Sequence, residues 1–278
     1  MRWIGLEHVV GKFIEVDKGV ELFVQDVGEG EPLVFIPGFT FTTEVFTKQV
    51  EHFSKTNRVI VLDPRSHGRS TIALHGNDYQ THGADLAKVL EALNVTNPTL
   101  VGWSFGCSTV WAYIRQYGLE NIKSFVFVDM PPKALSTNHE DWVEGPLDTI
   151  AAIHTTYLRN PSGQREFMTD YTTQVMIQRE LAKEELNWIV DQSMNTPYYI
   201  AASLFADGMF SDYREEAKKA SETLPTLTVI AEHWAETAVA YTKKLTPKSA
   251  IEVLGGHMMF WEHSEKFNRI LEHFLKKA

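Results

Sequence analysis

The sequence predicts an α/β fold: a mostly parallel eight-stranded sheet with helices on both faces and an inserted helical cap. Three observations carry this. Apolar runs of strand length alternate with helical periodicity through the first and last parts of the chain. The alternation stops between Met130 and about Ser221, where helical patterns continue with no strand pattern. One strand-to-helix joint, Gly102-Trp103-Ser104-Phe105-Gly106, has the G-x-S-x-G spacing of a nucleophile elbow.

In chain order, Lys12 to Val16 and Val20 to Gln25 read as a hairpin turned by Asp17-Lys18-Gly19. Pro32 to Ile36 and Arg58 to Leu62 are continuous apolar runs, the mark of strands buried on both faces. The first ends in the loop Pro37-Gly38-Phe39-Thr40, the second in Asp63-Pro64-Arg65-Ser66-His67-Gly68-Arg69-Ser70. Tyr79 to Leu93 is an amphipathic helix, with Leu86, Val89, Leu90 and Leu93 on one stripe. Pro98 to Val101 is the elbow strand, Ser108 to Tyr117 the elbow helix, and Phe125 to Val128 the next buried strand, closed by Asp129.

In the long insertion we expect helices over Trp142–Leu158, Ala182–Met194 and Tyr198–Met209. It is rich in aromatic residues and methionine, and we expect it to act as a lid over the carboxyl ends of the strands, where ligands bind in such sheets. The rhythm resumes with a strand at Thr226 to Ala231, a helix at Ala235 to Lys243, a strand at Ser249 to Leu254 and a helix at Ser264 to Lys276. We therefore divide the chain into a core of residues 1–131 and 222–278 and a cap of residues 132–221.

At the elbow, a serine in a sharp turn leaves no room for neighbouring side chains, so Gly102 and Gly106 stand where a Cβ would clash. A serine hydroxyl is a weak nucleophile and needs a base. Of the eleven histidines, His257 is the candidate: it follows two glycines after the last strand, near the chain end, where the base falls in the order nucleophile, acid, base. His8, His52, His75, His139, His154 and His273 read as ordinary surface or core histidines. His67 reads as fixing its own turn, and His263 lies too far into the last helix. The N–H groups of Phe39 and Phe105 are the expected oxyanion donors. Trp103, Met130 and Met258, each beside a candidate residue, are expected to line the substrate pocket.

The motifs Pro37-Gly38-Phe39, Asp63 to Ser70, Gly102 to Gly106, Val126 to Pro132 and Gly255-Gly256-His257 together resemble the α/β-hydrolase superfamily, in the branch with one helical cap after strand six. The resemblance covers almost the whole chain and says little about substrate. The turn Asp63 to Ser70 is similar to the family's D-x-R-G-x-G-x-S, with Ser66 where glycine is usual. The resemblance places the triad acid after strand seven, yet Trp234 falls there. Glu232 is a nearby carboxylate. Asp129, after strand six, resembles the acid of some haloalkane dehalogenases and of the quinolone dioxygenases. We favour Asp129 and keep Glu232 as the alternative.

The resemblance implies a serine carboxylesterase acting on a small apolar ester through an acyl-enzyme, with no cofactor and no metal. Serine at the nucleophile position argues against the aspartate chemistry of dehalogenases and epoxide hydrolases. Other serine-triad chemistry remains open: lactonase, carbon–carbon hydrolase or perhydrolase/haloperoxidase. So do a cofactor-independent dioxygenase, although Trp103 replaces that family's histidine, and a small-molecule receptor with vestigial hydrolysis.

Composition fits an ordinary globular protein, with 44% hydrophobic and 22% charged residues. The net charge of −10 argues against nucleic acid and anionic membrane as partners. One cysteine, Cys107, allows no intramolecular disulfide, and Met1 to Val20 lacks the apolar core of a leader. We expect a cytoplasmic protein; the oligomeric state is not legible.

Overall fold

The structure, a computed structural model, describes residues 11–278. The expectations for His8 and for the first ten residues of the N-terminus lie outside the described residues. Eight strands form one sheet in the order β1-β2-β4-β3-β5-β6-β7-β8. They are β1 (Gly11–Asp17), β2 (Val20–Val27), β3 (Pro32–Ile36), β4 (Arg58–Leu62), β5 (Thr99–Trp103), β6 (Ser124–Val128), β7 (Thr226–Ile230) and β8 (Ala250–Val253). The β1–β2 and β2–β4 pairs are antiparallel and the rest parallel. Every residue of β5, β6 and β7 is buried, as central parallel strands covered on both faces require. Edge strand β8 is largely exposed.

The helices are α1 (Thr47–Phe53), α2 (Tyr79–Ala92), α3 (Gly106–Tyr117), α4 (Leu147–Ala152), α5 (Pro161–Tyr171), α6 (Lys183–Ser193), α7 (Tyr198–Phe210), α8 (Arg214–Thr223), α9 (Ala235–Leu245), α10 (Met259–Glu262) and α11 (Ser264–Leu275). Helix α2 packs with α3, and α1 with α11. No helix is long and apolar enough to cross a membrane among the described residues.

Between β6 and β7 the chain is helical and adds no strand to the sheet. Helix α4 starts later than expected, at Leu147 rather than Trp142, because Gly145, at φ 157°, and Pro146 break the pattern before it. Helices α5 and α8 were not singled out by periodicity. Helix α5 begins on a local signal, Asn160, whose side chain accepts from the Gly163 N–H, followed by proline at the first helical position. Helices α4 and α5 each run on into a π-helical turn, Ile153–Tyr157 and Thr172–Met176.

These helices are tied to the sheet edge by polar contacts. The Tyr213 N–H donates to Pro132 O, and Arg115 pairs with Glu216 at 2.7 Å while lying over the Tyr213 ring. The Tyr79 N–H donates to Asp207 Oδ2. On the other side, Thr42 Oγ1 donates to Gln192 Oε1, and the Thr40 and Ser193 hydroxyls share a hydrogen bond.

Candidate active site

Ser104 follows β5 and has φ 52°, a left-handed backbone that costs a non-glycine residue roughly 1–3 kcal/mol. The surroundings enforce it. The Ser104 N–H donates to Val128 O at 2.9 Å, and the Cys107 N–H donates back to Ser104 O at 2.8 Å. A Cβ at Gly106 would stand 2.3 Å from Ile36 O, which explains the glycine. Cys107 is buried behind the turn, its Sγ against Gly102 O, and burial pushes its thiol pKa up. It fills space there.

Asp129 directly follows β6, beside Ser104 because Trp103 and Val128 are register partners. It too has a positive φ, 57°. Its Oδ2 accepts from His257 Nδ1 at 2.7 Å, with both side chains buried. Its Oδ1 accepts from the Ala231 N–H at 2.7 Å and from Trp234 Nε1 at 2.8 Å. The carboxylate is thus held by three donors. Glu232, the alternative, is exposed and hydrogen-bonded to Gln178, which lowers its pKa; it makes no contact with His257. The structure brings together Ser104, His257 and Asp129 and leaves Glu232 outside.

His257 is fixed from several directions. Its N–H donates to Val175 O at 3.1 Å, its carbonyl accepts from Trp103 Nε1 at 2.8 Å, and its ring lies 5.6 Å from that of Tyr171. Nε2 is buried and has no partner. With Nδ1 on Asp129, Nε2 is the free acceptor of the ring. No hydrogen bond joins it to Ser104 Oγ, and such contacts often tighten only with substrate.

The expected oxyanion donors are free. Neither the Phe39 nor the Phe105 N–H donates to another group among the described residues. Phe105 stands at the N-terminus of α3. The loop holding Phe39 is positioned by His67, a contact the sequence reading missed. The Thr40 N–H donates to His67 Nε2 at 3.1 Å, and His67 Nδ1 donates to Arg65 O at 2.7 Å. That pairing requires neutral imidazole, and burial lowers its pKa to about 4. Ser66, at the position where glycine is usual, has φ 64°, which accounts for the family preference; here its Oγ accepts from the Ala73 N–H.

A cavity of about 70 Å³ opens on Ser104. Trp103 lines it as expected, with Phe39, Phe41 and Phe105 from the sheet edge. From the helices above come Ile150, Ile153, Phe167, Met168, Tyr171, Met176, Phe205 and Met209. Met130 and Met258, expected in the lining, are not there. They are 2% and 0% exposed and belong to the hydrophobic core, with the Met258 N–H anchored to Met176 O. Adjacency in sequence to a site residue does not by itself put a side chain into the cavity.

The one carboxyl in the lining has no counterpart in the sequence reading. Glu144 retains some exposure as a residue, but its Oε1 is shut off from solvent and has no hydrogen-bond partner. Burial raises its pKa to about 7, with nearby His257 pulling it down and Asp129 pushing it up. Burial also raises the Tyr171 hydroxyl, assisted by Glu144 and Asp129. The signal that could have found Glu144 is Gly145-Pro146, which makes its position a loop rather than a helix.

The alpha/beta hydrolase fold model matches residues 31–264. A non-heme chloroperoxidase of Kitasatospora aureofaciens is 26% identical over 279 residues, covering 93% of this chain and 97% of that protein. A bromoperoxidase from Bacillus anthracis superposes with a TM-score of 0.85 at 24% identity, over 96% of this chain and 100% of the other. An esterase from Exiguobacterium antarcticum gives 0.85 at 23% identity, over 96% and 100%. With the family match spanning strands β3 to β8, the elbow and the histidine loop, this chain belongs to the alpha/beta hydrolase fold family.

Proposed function

We propose that the protein is a serine hydrolase that cleaves a carboxylic ester of a small, largely apolar substrate through an acyl-enzyme. The observation that supports this most is the buried Asp129–His257 pair at 2.7 Å, beside a serine held at φ 52° on the floor of an aromatic cavity. Ser104 Oγ attacks the acyl carbon while His257 Nε2 takes its proton. Asp129 holds the proton on Nδ1 and stabilises the imidazolium that forms. The oxyanion lies between the N–H groups of Phe39 and Phe105. His257 returns the proton to the leaving alcohol, and water, deprotonated by His257, then frees the acid. We assign residues 132–221 as the cap that selects substrate.

The test is labelling by a fluorophosphonate together with turnover of 4-nitrophenyl acetate. Ser104→Ala should abolish labelling and lower kcat by on the order of 10⁴ to 10⁶. A variant that kept a large share of either would remove Ser104 from the role.

The match to a chloroperoxidase over nearly its whole length favours a second reading, perhydrolysis, in which hydrogen peroxide replaces water on the acyl-enzyme. Peracid formation from acetate and peroxide, lost in Ser104→Ala, would support it.

A further inference from the structure

We infer that Glu144 makes this cavity a site for substrates that carry a protonated amine, the ammonium donating to the Glu144 carboxylate while the rest of the substrate lies against aromatic walls. The inference rests on the ester-hydrolase reading and narrows its substrate class.

Glu144 is the single carboxyl among the residues lining the cavity. Its side chain does nothing for the fold that the structure shows. The backbone N–H donates to Ala134 O, but Oε1 has no partner, and no lysine or arginine pairs with it among the described residues. A buried polar atom left without a partner costs free energy, and native proteins keep few of them. A ligand bearing an N–H donor would complete this one.

Charge counting favours an ammonium over a hydroxyl. The site holds two acids, Asp129 and Glu144, and one base, His257. During the proposed reaction the imidazolium neutralises Asp129, and nothing neutralises Glu144. A substrate cation would do so. The walls suit a cation too, because Phe39, Trp103, Phe105, Phe167, Tyr171 and Phe205 surround the cavity with rings whose faces attract positive charge. A purely apolar ester would leave the carboxyl either protonated or unpaired.

Isosteric esters provide the test. β-Alanine ethyl ester and ethyl butanoate differ by an ammonium in place of a methyl group, and longer ω-amino esters pair with longer alkanoates in the same way. The best ammonium ester of the series should exceed its isostere in kcat/KM by about tenfold or more, the scale of one desolvated cation–π or charged hydrogen bond. Glu144→Gln, shown to be folded by circular dichroism and still labelled by fluorophosphonate, should lose that preference, its kcat/KM falling further on the ammonium ester than on the alkanoate. Equal rates in the wild type, or a preference that survives Glu144→Gln, would overturn the inference. Should that variant not fold, the wild-type ratio decides by itself. Turnover of neither ester would count against the hydrolase reading. Thermal shift then decides the present one alone: propylammonium chloride should stabilise the wild type beyond sodium chloride plus propan-1-ol, and no difference between them would overturn it.

Discussion

Trp234 donates its indole N–H to Asp129 Oδ1 at 2.8 Å, from the position after β7 where the family resemblance places the acid. The residue found where the resemblance expects an acid thus donates to the carboxylate proposed in its place. With Ala231 N–H on the same oxygen and His257 Nδ1 on the other, Asp129 is oriented without a carboxylate on the β7 side. Asp129→Asn should therefore preserve folding and cut kcat by up to ~10⁴, since an amide favours the wrong imidazole tautomer. Trp234→Phe keeps the ring and removes one donor. It should lower kcat by roughly tenfold with little change in KM, the scale of one charge-assisted hydrogen bond. Glu232→Gln should match wild type in both constants. Collapse of Glu232→Gln with Asp129→Asn intact would reverse the assignment.

The residues around Asp129 also show what was legible in the sequence. Ser104, His257 and Asp129 each sit one to a few residues past a strand, so strand ends and glycine spacing locate them. The strands themselves are short apolar runs whose burial on both faces leaves a plain pattern. Met130 and Met258 failed for the opposite reason: chain proximity does not say on which side of the backbone a side chain lies. Glu144, His67 and the lining residues between β6 and β7 depend on segments folding back over the sheet edge, and no local periodicity encodes such long-range contacts. Helix α8 carries a sequence too polar to stand out by an apolar stripe, since its buried positions are the small residues Ala217, Ala220 and Ser221.

The histidine loop and the helical segment between β6 and β7 meet backbone to backbone. The N–H groups of His257 and Met258 donate to Val175 O and Met176 O in the π-helical turn after α5. A Cβ on Gly256 would lie 2.5 Å from Met176 O, a contact backbone cannot relieve cheaply. Gly256→Ala should push the loop off the turn, lowering kcat and the rate of Ser104 labelling by about tenfold or more and destabilising the fold by roughly 1–3 kcal/mol. Unchanged labelling kinetics and melting temperature would show that this contact does not position His257.

His67 holds the loop of Phe39, the proposed oxyanion donor, by accepting the Thr40 N–H, and the same loop touches α6 through Thr40 and Ser193. His67→Ala removes that acceptor while leaving Ser104, His257 and Asp129 in place. The expected result is a kcat lowered by about 10- to 100-fold, less than the loss of a direct oxyanion donor, with substrate binding and the far-ultraviolet spectrum close to wild type. Wild-type kcat in a folded His67→Ala protein would separate His67 from the oxyanion hole.

Two buried groups with opposite shifts give stability an unusual pH dependence. His67, normally near 6.5, is lowered to about 4 by burial, so the folded state binds fewer protons than the unfolded chain between those values. Its contribution is present above about pH 6.5 and is lost as pH falls towards about 4. Burial lowers His82, beside it at a ring distance of 5.8 Å, in the same direction. Glu144, normally near 4.5, is raised to about 7, so the folded state binds more protons in that window. Its contribution is present below about pH 4.5 and is lost as pH rises through about 7, by roughly 3 kcal/mol at most and less where solvent reaches the residue. The groups facing it are His257, which opposes the shift, Asp129, which adds to it, and Tyr171, which stays neutral throughout. Between about pH 4.5 and 6.5 the two trends oppose each other. Glu144→Gln removes one of them, so its melting temperature should climb more steeply with pH than that of the wild type. The gap between the two proteins should widen up to about pH 7 and then level off. Parallel melting curves across that range would mean that Glu144 ionises in the folded protein as it does in the unfolded chain.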